Sequence, residues 1–544
     1  MKRNVNLLIG LVMIFSLVLA ACGTPTAEVI KETVVVESTK IVEGETIVET
    51  QIVEVIVTPE PEKQPVTLNY NFGTEPPSLD PSLATDTTSI SVVGNLFVGL
   101  TLLDPDTNVP LPYLAESWEV GTDADGAQTW TFKLRQDIPW VNYNPVTDEI
   151  AQVTDADGNP RFVNANDVVY GVKRTIDPAT ASDYSYVLYI IKNAFEVNNG
   201  EEGYTIDDVG IVALDDYTVQ FTLVNAAGYF PSIASMWVAM PMPQWTIEEW
   251  GEKWTEAGLI VTNGPYTLET WIHGGEIVLI KNPLFFNADN VQIERIEGLM
   301  ITEASTEFAL YENNELDTSP VPLPEMDRVK ADPVLSQEYF QAPDPCTYYY
   351  GFTNNKMPFD DVRVRRAFSQ AIDRQSLIDN VLKGGQVPAT SFAPPGIFGA
   401  PVPGTVGLGY DPTAAKAYLD EYLAEKNMTI DDFNALNITL MHNTSEGHAR
   451  IAAAIQQMWK DTLGVDVVVE NQEWGVYLDT VDNSTPLADM PHIWRLGWCA
   501  DYPDENNWVH EVFNAVAGDN NLRRNCADET CTEVSMSTFD ELTY

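Results

Sequence analysis

The chain has 544 residues, more than a single hydrophobic core accommodates, so several domains are expected. Its hydrophobic fraction of 44% and aromatic fraction of 10% are typical of packed globular domains and argue against a mostly disordered chain. The formal net charge of −51 argues against a nucleic-acid partner, because phosphate recognition needs clustered lysine and arginine. This charge is explained by an acidic solvated surface, and it would also favour cationic ligands.

The N-terminus has the features of an export signal. A basic Met-Lys-Arg start precedes a short apolar run at 7–20, and Leu-Ala-Ala-Cys follows at 19–22. The run is too short for a membrane span and ends at a small-residue cleavage site, which predicts a signal peptide over 1–21. Cys22 would then be the first mature residue and carry a lipid that anchors the protein on the extracytoplasmic face of the cell membrane. The alternative is ordinary secretion with an unmodified Cys22.

Residues 22–65 are predicted to be a lipid-anchored spacer. The segment repeats a Thr/Val/Glu theme at 33–37, 46–49 and 51–54, and it has no aromatic residue with which to build a core. Repeated glutamates are expected to keep it extended and to guard its valines against pairing. A β-stalk is the alternative.

Four further cysteines lie in the body of the chain: Cys346, Cys499, Cys526 and Cys531. An even number in an oxidising compartment predicts two disulfides, with three possible connectivities. Cys526 and Cys531 are close enough to close a small loop, which leaves Cys346 and Cys499 as a long-range pair. A metal site is the alternative, although no CxxC pair or nearby histidine supports it.

Strand and helix patterns interleave from about residue 66 onward. Alternating residues predict strands at 66–70, 130–134 and 218–223, and amphipathic patterns predict helices at 362–382 and 446–463. The second helix leads into a predicted strand at 465–470, an α/β unit that suits a parallel or mixed sheet. Two Asp- and Gly-containing segments at 122–126 and 154–158 are predicted hairpin turns, because neither has the terminal glutamate of a calcium loop.

Signatures of catalysis are missing from the sequence. It contains no HExxH, GxSxG or P-loop motif, and none of its five histidines has metal-ligand spacing. We therefore expect a binding protein that uses no metal or cofactor. The segment at 492–503 is the most informative, since Asp501 follows a probable disulfide half at Cys499. A rigid cysteine there would hold the carboxylate at a pocket wall for a cationic ligand group, although turn aspartates usually cap the local backbone.

At this segment the chain resembles the oligopeptide-binding proteins of ABC importers, which are family 5 extracellular solute-binding proteins. The resemblance runs from about residue 68 to 539. The matching stretches are SLDP at 78–81, LAESW at 114–118, GEKW at 251–254, VTNGPYTL at 261–268, CTYYY at 346–350, PFDDVRVR at 358–365, NQEW at 471–474 and GWCADY at 497–502.

The resemblance implies an α/β fold of the periplasmic-binding-protein-like type II class, with two lobes that close on ligand about a hinge. Domain I would comprise 66–97 and 244–345, and domain II would comprise 98–243, with a hairpin insertion at about 144–161. Domain III would comprise 346–544. Family members continue for several dozen residues beyond the equivalent of residue 544, so this domain is expected to be C-terminally incomplete.

The resemblance also implies a binding site in which peptide is held as an added β-strand. Asp501 would pair with the peptide α-ammonium, and His448 and Arg495 would meet its C-terminus, where Val481 replaces a third basic residue. Aromatic contacts would come from Trp474 and Tyr184. Main-chain pairing would come from two segments, made up of Thr85, Asp86 and Thr87, and of Gly497, Trp498 and Cys499. The family's disulfide matches Cys346 and Cys499.

The expected function is capture of oligopeptides in the interlobe cleft and their delivery to an ABC import permease, by a monomer without enzymatic activity. Two alternatives remain. The same fold would bind another solute, such as a dipeptide, a nickel complex or a sugar. A surface hydrolase is the alternative from a different class, and it would need a nucleophile or an acid–base pair that the sequence does not supply.

Overall fold

A computed structural model describes residues 30–42, 45–57, 65–482 and 485–513. The chain forms two compact units, residues 1–65 and residues 66–544. The predicted signal peptide, the predicted lipidation at Cys22 and the predicted Cys526–Cys531 pair lie outside the described residues. Within those residues, no helix is long and apolar enough to cross a membrane.

In the first unit, two strands form an antiparallel hairpin, β1 (Ile30–Val42) and β2 (Glu45–Val57). The expectation that glutamates guard the valines of this segment against pairing is therefore wrong, while the role of 22–65 as a spacer stays a prediction. The register explains how pairing is tolerated: Glu37 lies opposite Thr50, and Glu49 lies opposite Ser38. Among the paired positions of 30–42 and 45–57, no glutamate lies opposite another, so like-charge repulsion between opposite positions is avoided while β-branched residues favour the strands.

The second unit contains sixteen strands among its described residues, gathered mainly into three four-stranded sheets. The strands are β3 (Thr67–Asn71), β4 (Thr101–Leu103), β5 (Pro110–Pro112), β6 (Ala115–Thr122), β7 (Gln128–Leu134), β8 (Val141–Asn144), β9 (Glu149–Gln152), β10 (Ile211–Asp215), β11 (Thr218–Thr222), β12 (Tyr266–Ile272), β13 (Glu276–Lys281), β14 (Arg295–Leu299), β15 (Cys346–Phe352), β16 (Thr439–Asn443), β17 (Val468–Gln472) and β18 (Ile493–Cys499).

Fifteen α-helices lie between these strands in the described residues. They are α1 (Thr87–Leu96), α2 (Ala165–Ile176), α3 (Ala194–Asn198), α4 (Phe230–Ile233), α5 (Gln244–Trp250), α6 (Ala304–Glu312), α7 (Met326–Ala331), α8 (Leu335–Glu338), α9 (Val362–Gln370), α10 (Arg374–Leu377), α11 (Pro412–Lys426), α12 (Ile430–Asn434), α13 (Glu446–Leu463), α14 (Trp474–Val481) and α15 (Asn506–Phe513).

Each four-stranded sheet draws on a different part of the chain. The first has the order β12-β13-β14-β3, and its β14–β3 pair is parallel because the chain returns to the sheet after a long excursion. The second, β10-β11-β7-β6, is wholly antiparallel. The third, β15-β18-β16-β17, is mixed, which is one of the two arrangements predicted for this region. The exact limits of domains I, II and III remain predictions.

Most predicted elements are present, with shifted ends. The predicted strand at 130–134 lies within β7, and the predicted helix at 446–463 coincides with α13. The predicted helix at 362–382 is interrupted after Gln370. Asp373 accounts for the break, because its carboxylate accepts a hydrogen bond from the Ser376 amide at 2.9 Å and so begins a new helix, α10.

Both predicted hairpin turns are tied by an aspartate. Between β6 and β7, the Asp123 carboxylate accepts hydrogen bonds from the amides of Asp125 at 3.0 Å and Ala127 at 2.8 Å. Asp155 does the same for the amides of Asp157 and Asn159, each at 2.9 Å. These carboxylates are occupied by local backbone, the usual role of aspartate in turns. The region predicted as an inserted hairpin, about 144–161, starts at the last residue of β8 and contains β9, which pairs with β8.

Two large hydrophobic cores stabilise the second unit. One spans 79–296 and also includes Trp498, Tyr502 and Trp508 from the far end of the described chain. The other lies entirely within 359–493 and is centred on Phe368 and Trp459. Each fully buried aromatic or large aliphatic side chain stabilises the fold by about 1.5–3 kcal/mol. Because the first core contains residues from both parts of the chain, it holds the segment after β18 against the sheets that precede it in sequence.

Candidate functional site

Asp501 lies two residues after the end of β18 and is held by one amide side chain. Asn507, which is fully buried near the start of α15, donates from Nδ2 to Asp501 Oδ2 at 2.8 Å. Its Oδ1 accepts from the Asp501 backbone amide at 3.0 Å and from the Trp498 indole at 3.2 Å. Burial raises the pKa of Asp501 to about 7, and the hydrogen bond from Asn507 offsets only part of this effect.

The strand that leads to Asp501 is fixed to its neighbour by a disulfide. Cys346 on β15 faces Cys499 on β18 in the antiparallel register, and the two are bonded. This is the pairing that the sequence predicts. Along the same strand, Trp498 is buried, whereas Gly497 and Cys499 are exposed. Gly497 and Cys499 therefore leave this end of β18 open to solvent.

A second carboxyl group lies close to Asp501. Glu511 on α15 is only 6% exposed, and its Oε1 accepts from the Tyr502 hydroxyl at 3.0 Å and from Asn506 Nδ2 at 3.1 Å. Burial is the main reason that the pKa of Glu511 rises to about 8, and the charge of Asp501 contributes. Two adjacent asparagines, Asn506 and Asn507, thus position two carboxyl groups with raised pKa values.

The structure brings Arg495 and His448 together. The Arg495 guanidinium carbon lies 4.3 Å from the centre of the Tyr348 ring, and the Tyr348 hydroxyl lies 3.2 Å from His448 Nδ1. Arg495 also donates from Nη1 to Asn443 Oδ1 at 3.2 Å. Burial, assisted by the charges of Arg495 and His442, lowers the pKa of His448 to about 3. His448 is therefore neutral near pH 7, and Arg495 is the cation of this cluster.

Val481 is a core residue. It is 3% exposed and packs in a small cluster with Met441, Tyr477 and Trp494. Trp474 begins the same helix, α14, and stacks on Tyr477 with ring centres 6.2 Å apart. A partly exposed Trp474 on this support is available to a ligand, whereas Val481 is enclosed.

The predicted contacts from the first half of the chain meet at Trp237. Tyr184 lies 5.2 Å from the Trp237 ring, centre to centre, and the Trp237 indole donates to the Ala84 carbonyl at 2.8 Å. Ala84 directly precedes the predicted segment Thr85–Asp86–Thr87. Asp86 is the N-cap of α1, where its Oδ1 accepts from the amides of Thr88 and Ser89. The Asp86 side chain therefore supports the helix, and only the backbone of this segment remains for the predicted strand pairing.

The two halves of the described chain also meet at a pair of tyrosines. Tyr229, just before α4, stacks face to face on Tyr502, with ring centres 5.4 Å apart and planes 1° apart. Tyr502 follows Asp501 directly and donates to Glu511. The Tyr229–Tyr502 stack therefore connects the sheet region that contains β11 to the two carboxyl groups.

A cavity of about 1570 Å³ lies along β15, largely apart from the Asp501 cluster. It is lined mainly by aromatic and aliphatic side chains, including Phe308, Tyr339, Phe352, Phe392, Ile455 and Trp459. Tyr348 also lines it and connects it to the Arg495 cluster. Volume alone does not make this cavity the functional site, because the convergent charged groups lie at Asp501 and at Arg495.

Several residues of these clusters are not evident from the sequence. Asn507, Glu511, Tyr348 and His442 meet the predicted residues only through the fold. Asn507 is six residues from Asp501 in an ordinary helix start, and Glu511 is one of 80 acidic residues. No spacing rule singles them out, although Tyr348 does lie in one of the stretches that carry the resemblance.

Comparison with known proteins places the chain in a family. The model of "Bacterial extracellular solute-binding proteins, family 5 Middle" matches residues 109–520. The periplasmic oligopeptide-binding protein OppA of Escherichia coli K12 is 35% identical over 457 residues, 83% of this chain and 78% of that protein. The oligopeptide-binding protein OppA of Bacillus subtilis 168 is 34% identical over 84% of this chain and 79% of that protein.

Solved structures give the same result for the fold. The OppA structure from Burkholderia pseudomallei superposes with a TM-score of 0.73 at 26% identity, covering 88% of this chain and 90% of that one. The murein tripeptide binding protein MppA of Escherichia coli gives a TM-score of 0.73 at 27% identity, with 88% and 89% covered. The predicted periplasmic-binding-protein-like fold is thereby confirmed, and the chain belongs to family 5 of the bacterial extracellular solute-binding proteins.

Proposed function

We propose that this protein captures oligopeptides outside the membrane and delivers them to the permease of an ABC importer. The binding site would be the cleft between the two lobes, with Asp501 at one end and Arg495 with His448 at the other. Relatives that share about a third of their sequence with this chain are named oligopeptide-binding proteins, which supports the ligand class.

The state of Asp501 is the observation that carries the proposal. Its side chain is only partly exposed, burial raises its pKa to about 7, and the hydrogen bond described for its carboxylate comes from a neutral amide. A peptide α-ammonium would supply the missing positive charge and a short, charge-assisted hydrogen bond. At the other end, Arg495 offers a permanent cation for the peptide carboxylate.

Between the two ends, we propose that the peptide lies as an added strand. The exposed backbone of Gly497 and Cys499, with the buried Trp498 between them, provides one edge, and Thr85, Asp86 and Thr87 provide the other. Trp474 and Tyr184 would contact peptide side chains. Main-chain hydrogen bonds give affinity with little dependence on ligand sequence, which suits a nutrient importer.

We also propose that the protein is a monomer held on the extracytoplasmic face of the membrane by lipid on Cys22. The family and the relatives are binding proteins, and the Escherichia coli relative is named periplasmic. On this proposal the ligand leaves the site chemically unchanged, since the clusters described above contain no nucleophile paired with a base. A surface hydrolase would instead convert added peptides to fragments, which mass spectrometry of the incubated mixture detects.

The test compares Asp501→Asn with the unaltered protein, using Ala-Ala-Ala and its N-acetylated form in titration calorimetry. Asparagine keeps the hydrogen bond from Asn507 but removes the charge. We expect the substitution to weaken binding of the free peptide by at least about thirtyfold and to leave the already weak acetylated peptide almost unchanged. Equal affinity of the unaltered protein for both peptides would exclude the α-ammonium role.

Peptide length distinguishes an oligopeptide-binding protein from a dipeptide-binding protein. The dipeptide-binding protein DppE of Bacillus subtilis is 32% identical over 76% of this chain and 71% of that protein, so a dipeptide preference has support of its own. A series from Ala-Ala to penta-alanine, measured under the same conditions, separates the two. A dipeptide-binding protein would lose affinity as soon as a third residue is added.

A further inference from the structure

Glu511 is a buried carboxyl group with one oxygen unused. Its side chain is 94% buried, and both described hydrogen bonds go to Oε1. Oε2 is enclosed and has no hydrogen-bond partner in the described part of the chain. A buried polar atom without a partner costs about 1–3 kcal/mol, so such an atom in a folded protein calls for a ligand or another explanation.

The surroundings of Glu511 add negative charge rather than positive. Burial is the main cause of the raised pKa of both Glu511 and Tyr229. The charge of Asp501 adds to the shift of Glu511, and the charges of Glu511 and Asp504 add to that of Tyr229, which packs against Tyr502. Of the described groups that shift the pKa of Asp501 or of Glu511, none is a cation. The two carboxyl groups therefore form a pair that is neutral when both hold protons and doubly negative when neither does.

We infer that Glu511 is the second carboxylate of the ligand-binding site and that the protein selects peptides whose first residue carries a basic side chain. This inference rests on the proposed function, because Asp501 must take the peptide α-ammonium. A first-position lysine or arginine places a second positive charge one side chain away from the first. Glu511 Oε2 is the unused acceptor in this neighbourhood.

The position of Glu511 fits this role better than a purely structural one. Tyr502 and Asn506 need only one acceptor oxygen, which a glutamine would supply without burying an acid beside Asp501. An acid is costly here unless a cation joins it. When the first residue of the peptide has a neutral side chain, its α-ammonium balances the charge of Asp501 alone, and Glu511 keeps its proton. With a basic first residue, both carboxyl groups ionise, so binding releases a second proton.

The experiment compares Lys-Ala-Ala with norleucine-Ala-Ala, which has a side chain of similar length without the charge. Calorimetry of the full chain at pH 6.5, in two buffers of different ionisation enthalpy, gives both affinity and proton release. We expect Lys-Ala-Ala to bind at least about tenfold more tightly and to release about one additional proton. Equal affinity, or equal proton release, would overturn the inference without touching the proposed function.

A pair of variants separates Glu511 from general attraction to an acidic protein. Glu511→Gln keeps an acceptor for Tyr502 and Asn506, and it should reduce the preference for Lys-Ala-Ala over norleucine-Ala-Ala to about twofold. Glu505→Gln removes the same charge immediately before α15 and should preserve the preference. If the preference for Lys-Ala-Ala survives Glu511→Gln, it arises from the net charge of −51, and the inference is overturned. Failure of both peptides to bind the unaltered protein would instead overturn the proposed function, and the inference with it.

Discussion

On the proposed function, two properties of Asp501 make its charge depend on the ligand. Its pKa is raised to about 7 by burial, so without a cation nearby the neutral form is favoured at pH values below 7. A bound α-ammonium favours the ionised form and lowers that pKa. Binding is therefore linked to loss of a proton whenever the solution is more acidic than the pKa of the free site.

This linkage predicts how affinity changes with pH. For Ala-Ala-Ala, affinity should be greatest at about pH 7–8 and should fall by up to about tenfold for each unit below 7, because every binding event must then expel a proton. Above about pH 8 the peptide amine loses its own charge and affinity falls again. Calorimetric titrations from pH 5.5 to 9 measure the profile. Asp501→Asn should remove the acidic limb, and an unaltered protein with flat affinity from pH 5.5 to 7.5 would contradict the assignment.

At the other end of the site, Arg495 and His448 have different charges despite their proximity. His448 stays neutral near pH 7 because its pKa is lowered to about 3, whereas arginine stays charged. We therefore expect Arg495→Gln to weaken binding of Ala-Ala-Ala by at least about tenfold and to affect its C-terminal amide much less. His448→Gln should change either affinity by less than about threefold. Comparable losses in the two variants would show that His448 becomes charged on binding.

Only some of the residues in the Asp501 and Arg495 clusters could be predicted from the sequence. Asp501, Arg495 and His448 are predicted from the resemblance, and Asp501 lies within one of the stretches that carry it. Asn507 and Glu511 are not, because their roles depend on a helix start that turns back towards Asp501. Val481 is the opposite case. The resemblance shows that it replaces a basic residue of the family, and only the packing of α14 shows that it is buried.

At the scale of single elements, the β15–β18 pair determines where Asp501 lies. Its disulfide joins residues 153 positions apart, and a loop of that length restricts the unfolded chain strongly. Replacing Cys346 and Cys499 by serine should lower the free energy of unfolding by about 3–5 kcal/mol. Chemical denaturation of the double variant measures this. The matched control replaces Cys526 and Cys531, whose predicted bridge closes a far shorter loop, and should cost less; a larger loss in the control would refute the argument.

Elements differ in how well sequence anticipates them, for local reasons. Both ends of helix α13 were predicted correctly, because Ser445 caps its start and Gly464 ends it in the left-handed conformation. The predicted helix at 362–382 breaks because a cap at Asp373 competes with an otherwise continuous apolar pattern. In β1 and β2 the prediction that glutamates prevent pairing was wrong, because the register places no glutamate of the paired positions opposite another.

At the scale of the whole molecule, the fold class was accessible because long motifs in constant order identify a family. The arrangement of the three four-stranded sheets was not accessible from local patterns. The sheet β12-β13-β14-β3 pairs strands more than 200 residues apart, and no local signal specifies that partnership. The sharing of one core between 79–296 and 498–512 is likewise a property of the folded chain alone.

The Tyr229–Tyr502 stack has a consequence for timing. Tyr502 adjoins Asp501, and its ring is covered by Tyr229 from another sheet region. On the proposed function, we expect the two rings to separate before a ligand on Asp501 leaves. Residence time would then be set by the opening of the cleft rather than by the ligand's own contacts. Tyr229→Ala should shorten the lifetime of the peptide complex by about tenfold in stopped-flow chase experiments, whereas Tyr229→Phe should preserve it. A receptor built in this way gives different peptides similar dwell times, and so presents each of them to the permease for a comparable interval.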